Sequence, residues 1–127
     1  MQFLKNTDQS LEKLYDLTMV HKMCWGNRDK IIKLIDVFIT QTSQLVEQIR
    51  VGYNERDLVR IENAIHKIKP TLTYFGTVKI EFELLLIETL VDKEFSTIEL
   101  KGKIETLDAV VKQTVDKMKN DFCITNK

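Results

Sequence analysis

The chain reads as all-α: an antiparallel up-down four-helix bundle with an additional short N-terminal helix. Three observations predict it. Apolar residues recur every three or four positions over long stretches, the spacing that lays one stripe along a helix. Four glycines and one proline in 127 residues are too few for a chain of many tight turns. The breaks between periodic stretches span only about two to six residues, so consecutive helices are antiparallel neighbours.

The elements follow in order. A first short helix covers about Leu11 to Met23 and ends near "CWGN". Asn27 can cap a second helix, about Arg28 to Val51, striped by Ile31, Leu34, Ile35, Phe38, Leu45 and Ile49. "GYNERD" reads as a turn, with Asp57 or Asn54 capping the third helix, which runs to Phe75. Its core face holds Leu58, Ile61, Ile65, Ile68, Leu72 and Phe75, and Gly76 suits a left-handed C-terminal cap. The fourth helix, about Val78 to Val91, is so apolar ("FELLLIETLV") that it is expected to be the most buried. "STIE" at Ser96 to Glu99 is a capping box for the last helix, about Thr97 to Asn120. Leu100, Ile104, Leu107, Val111, Val115 and Met118 form that helix's stripe.

Composition narrows the function. Residues 1–127 form one domain without linker, repeat or low-complexity segment. Nineteen basic residues balance nineteen acidic ones, so there is no global field to attract nucleic acid or a membrane, although a local patch is still possible. The N-terminus carries no signal segment, and the longest apolar run, "LLLI", is far too short to span a bilayer. A cytoplasmic monomer is expected. Cys24 and Cys123 lie far apart and read as small buried hydrophobes rather than metal ligands. No metal or other cofactor is expected. Met1 favours a free-standing protein over a fragment of a larger one.

Proline would ordinarily be kept out of a helix interior, where it deletes one hydrogen bond and clashes with the carbonyl four residues back. In "AIHKIKPTLTYFG" (Ala64 to Gly76) that carbonyl belongs to His66. On a helical wheel His66 lies about 140° from the centre of the core stripe and points to solvent. Val59, Glu62, Asn63, Lys69, Pro70 and Thr73 share its face, and Lys67 leans to the other side. Lys69, at i+3, can neutralise negative charge attached to His66. Pro70, at i+4, is compact and leaves room for another protein to approach. An exposed neutral imidazole is a competent nucleophile without a neighbouring base.

These residues resemble the phosphoacceptor motif of histidine-containing phosphotransfer (HPt) domains, A-H-x-L-K-G-[SA]-x-x-x-[apolar]-G. His66 sits in the phosphoacceptor position, Ile68 in the apolar position two on, and Lys69 in the lysine position three on. Phe75 and Gly76 match the apolar residue and glycine that close the motif. The segment Tyr15 to Ile49 is similar to the family's opening, with a D-L pair, a G-[ND] break and a striped helix with a central Phe. Asp57 holds the acidic cap nine residues before the histidine. Two positions depart from the pattern: Pro70 stands where the family usually has glycine, and Ile65 where alanine precedes the histidine.

The resemblance implies a phosphoryl carrier, loaded on His66 by a receiver domain or a sensor histidine kinase relay and unloaded by a second receiver. Lys69 would stabilise the phosphoryl charge, and Val59, Glu62, Asn63, Lys67, Pro70 and Thr73 would form the docking face. Magnesium would belong to the partner receiver. No Gly-rich phosphate loop suggests an independent kinase. The alternative is a helical adaptor that binds receiver or kinase domains without being phosphorylated. A di-iron or haem bundle is disfavoured, because neither His21 nor His66 has a glutamate three residues before it. His21 is assigned no role.

Overall fold

Where the apolar stripes meet decides the packing. The computed structural model describes residues 13–93 and 98–124, and it contains five helices and no strand among them. These are α1 (Thr18–Met23), α2 (Arg28–Glu55), α3 (Leu58–Tyr74), α4 (Val78–Lys93) and α5 (Ile98–Phe122). Each of the four longer helices packs against two others: α2 on α3 and α5, and α4 on α3 and α5. Between them lies one continuous core in which Phe38, Ile61, Leu72, Ile87 and Leu107 are fully shielded from solvent. The Phe38 and Phe75 rings pack in a tilted pair with centroids 4.6 Å apart, tying the N-terminal half of α2 to the end of α3. Among the described residues no helix is long and apolar enough to cross a membrane.

The caps follow their chemistry. Asn27 Oδ1 accepts the Lys30 N–H at 3.1 Å and opens α2. Asp57, not Asn54, opens α3, its Oδ1 accepting the Arg60 N–H at 3.1 Å. Asn54 is instead inside α2, which runs four residues past its expected end. The glycine read as part of a turn, Gly52, is a crossing residue: a Cβ there would stand 2.6 Å from Ile61 Cγ1. Arg56 takes the left-handed conformation that ends the helix. The capping box at Ser96 and Thr97 lies outside the described residues.

Four further expectations are corrected. The first helix begins at Thr18 rather than near Leu11, with residues 13–17 irregular and 11–12 outside the described residues. The reason is local: Asp16 Oδ1 accepts both the Thr18 N–H (3.0 Å) and its hydroxyl (2.7 Å), a turn that competes with helix. The Asp16 N–H donates instead to Phe75 O at 2.9 Å. Leu58 is 37% exposed rather than core, because it sits at the edge of its stripe in the first turn of α3. α4 is not buried all round, since Val78 (66%), Phe82 (56%) and Leu85 (57%) face outwards. Cys24 is buried as expected, whereas Cys123 is exposed beyond the end of α5.

Candidate functional site

The outer face of α3 is set by its inner one. Ile61, Ile65, Ile68 and Leu72 are buried, so a rotation of about 100° per residue carries His66 to the opposite side. His66 is exposed, as are Val59, Asn63, Lys67, Lys69, Pro70 and Thr73, and Glu62 is partly exposed. α3 continues without interruption through Pro70 to Tyr74. Gly76 then adopts φ +60°. The Thr77 N–H donates to Leu72 O and the Gly76 N–H to Thr73 O, both at 3.1 Å, which is a Schellman ending. The N-terminal segment lies against this turn, and a Cβ on Gly76 would meet Asp16 N and O at 2.9 Å.

His66 stands on a ridge with unlike flanks. Towards α2, Lys67 borders a groove with Gln41, Gln44, Gln48 and Ala64. An adjoining depression includes Val59, Arg60 and Asn63. Thr71 Oγ1 donates to Gln41 Oε1 at 3.2 Å and pins the two helices beside the groove. Towards α4 the surface is apolar: Leu72, Val78, Phe82 and Leu85 line a groove edged by Lys69 and Thr73. The expected face is thus divided, with Val59, Asn63 and Lys67 on the amide side and Lys69 and Thr73 on the apolar side.

Lys69 has a partner that the sequence did not suggest. Its Nζ lies 3.1 Å from Glu88 Oε2 on α4, and the glutamate side chain is only 25% exposed. Lys67 makes no ion pair among the described residues. The second histidine, His21, is exposed on α1, where it borders a concavity with Tyr15, Lys22 and Asp121. Among the described residues no three His, Cys, Asp or Glu side chains gather in a way that could hold a metal ion. The arrangement can present a nucleophilic nitrogen and a nearby cation to a partner, on a helix braced by the core.

Glu88, the three glutamines and the exposed Phe82 and Leu85 are the neighbours that sequence reasoning missed. One signal was available: α4 has more apolar residues than a single helix face can hold. Compared with protein-family models, with curated proteins and with solved structures, the chain matches none of them.

Proposed function

We propose that the chain is a histidine phosphotransfer protein of the HPt type, folded as an antiparallel up-down four-helix bundle with α1 packed at one end. The observation that carries this reading is His66 on the solvent side of α3, with Lys69 at i+3 and the compact Pro70 at i+4. In the proposed step an imidazole nitrogen of His66 attacks the phosphorus of an aspartyl phosphate on a receiver domain. The N–P bond forms as the acyl P–O bond breaks, and the receiver's carboxylate leaves. Magnesium, held by the receiver, supplies the charge neutralisation at its own aspartate. Lys69 serves the phosphoryl oxygens on the carrier side, and a second receiver aspartate reverses the step. The reading places the protein in the cytoplasm, with receiver domains and a histidine kinase relay as partners.

Incubation with phosphorylated receiver domains tests it. Acid-labile, base-stable label should appear on the wild type and on His21→Gln, and should be absent from His66→Gln at unchanged helical content. Label persisting in His66→Gln, or lost in His21→Gln, would refute the assignment. The Lys69–Glu88 ion pair favours one other reading, a helical adaptor in which the ammonium is structural. That reading expects receiver binding with no label at all.

A further inference from the structure

The turn between α1 and α2 displays the chain's single tryptophan. Trp25 is 91% exposed, and Met19 and Met23, one turn apart on α1, are 48% and 50% exposed. The turn itself is firmly held. The Trp25, Gly26 and Asn27 N–H groups donate to Lys22, His21 and Cys24 carbonyls at 3.3, 3.0 and 2.9 Å. Beneath it Cys24 is buried, and Asn27 caps α2. Trp25 and Gly26 both take positive φ, 53° and 71°. A bulky residue is disfavoured there, and glycine or asparagine would suit the backbone better. The fold does not account for the indole.

Charge gathers at the same end. From Lys22 to Lys33 the chain has four basic residues, Lys22, Arg28, Lys30 and Lys33, against one acidic residue, Asp29. That is a formal +3 within a chain whose total is zero. Lys22, Lys30 and Lys33 make no ion pair among the described residues. Two nearby carboxylates are already engaged: Asp16 by Thr18 and Lys13, and Asp121 by Tyr15 and Lys117. Arg28 lies over the Phe122 ring, 5.4 Å from its centroid, with its charge still available at the bundle end.

We infer that this end of the protein docks on an anionic lipid surface. Trp25 would enter the headgroup boundary while Lys22, Arg28, Lys30 and Lys33 face the headgroup anions. Trp25 stands almost clear of its own protein, and the nearest charged residues on either side of it in sequence, Lys22 and Arg28, are basic, the charge that an anionic lipid surface complements. An indole at a convex tip, flanked by methionines and basic residues, matches the membrane interface. The hydrogen-bonded turn is already ordered, so little conformational freedom is lost on docking. Lipid docking also leaves His66 accessible. It lies eight residues before Tyr74, about 12 Å along the axis from this end of α3, on the side of the bundle. The inference does not rest on the phosphotransfer reading.

The single tryptophan reports on its own environment, so the test uses the full chain and vesicles without any label. Phosphatidylcholine vesicles with added phosphatidylserine should blue-shift the Trp25 emission and carry the protein into the pellet. Phosphatidylcholine alone should do neither, and high salt should release the bound protein. Lys30→Gln and Lys33→Gln should each lower the partition coefficient about fivefold. Trp25→Asn suits the left-handed backbone and should keep its helical circular dichroism while losing the pelleted fraction. Trp25→Phe should retain most of it. No shift with any vesicle, or undiminished pelleting of Trp25→Asn, would overturn the inference. So would a shift produced by receiver domains and not by vesicles, which would make the tip a protein-docking site.

Discussion

Lys69 Nζ and Glu88 Oε2 are 3.1 Å apart across the α3–α4 interface. The cation one turn from His66 is therefore shared with a carboxylate on the next helix. A pair this exposed contributes little to stability, about 0–1 kcal/mol, so its meaning lies in where it holds the ammonium. A phosphoryl group on His66 would carry nearly two negative charges and would compete with Glu88 for that ammonium. Glu88→Gln should therefore lengthen the lifetime of phosphohistidine, and Lys69→Ala should shorten it, with both proteins folded. In Lys69→Ala the Glu88→Gln change should have no further effect, which a double-mutant cycle on label decay would measure. Lys67→Ala should matter less, since it borders the groove on the other flank. A greater effect at Lys67 would mean that the amide flank carries the charge.

The irregular N-terminal segment is tied to the end of α5 by the Tyr15 hydroxyl, which donates to Asp121 Oδ2. Burial, then the Asp121 hydrogen bond and charge, push the Tyr15 phenol above its ordinary range. The same hydrogen bond, with help from Lys117, holds Asp121 below the usual carboxylate range. A depressed carboxylate stabilises above its unfolded pKa, about 3.9, and that contribution disappears as pH falls through the folded value. A raised phenol stabilises fully below about pH 10 and loses its contribution as pH rises beyond that. Tyr15→Phe should therefore cost about 0.5–1 kcal/mol between about pH 5 and 9. Its deficit against the wild type should shrink at both extremes, as urea denaturation across pH would show. A constant deficit would mean that the ring packs but the hydroxyl does not contribute.

Gly76 and Gly102 give opposite expectations for the same substitution. At Gly76 φ is +60° and an added Cβ would stand 2.7 Å from Asp16 Cβ and 2.9 Å from its backbone N and O. Gly76→Ala should cost about 2–4 kcal/mol, from the strained backbone and displacement of the N-terminal segment. Gly102 is inside α5, and among the described residues nothing lies within 4 Å of such a Cβ. Gly102→Ala should stabilise by about 0.5–1 kcal/mol. Chemical denaturation of the two variants checks both signs. Equal effects would mean that the Asp16 segment gives way freely.

Legibility in the sequence followed the range of the interaction. The stripe of α5 and most of those of α2 and α3 were readable, because burial there repeats with the helical period. Gly76 was readable too, since a left-handed ending needs a residue without Cβ. α4 has apolar residues on every side, so periodicity could not say that Ile80, Leu84 and Ile87 go in while Phe82 and Leu85 stay out. The neighbouring helices decide that. The Lys69–Glu88 pair depends on the relative register of α3 and α4, and the Tyr15–Asp121 contact joins residues 106 apart. Neither is coded locally. Gly52 misled because a glycine before Asn54 resembles a turn, when the same absence of Cβ admits the Ile61 side chain.

Pro70 remains the sharpest test of the docking face. α3 is unbroken through it and the ring is exposed, so neither a helix end nor core packing explains a proline there. It denies the His66 carbonyl its helical N–H, a defect worth up to ~3 kcal/mol against alanine. If the residue serves to keep space beside His66, bulk at this position should govern receiver binding, and helix propensity should govern only stability. Pro70→Ala should raise stability by up to ~3 kcal/mol, with a modest effect on transfer. Pro70→Gly should leave transfer largely intact, since glycine also clears the space. Pro70→Glu and Pro70→Arg should stabilise the helix nearly as well as alanine yet weaken receiver binding, the glutamate further by repelling the phosphoryl group. Urea midpoints and receiver affinities, measured on all four variants, separate the two effects. Equal affinities would leave Pro70 a tolerated helix defect, and its position one turn after His66 would then say nothing about docking.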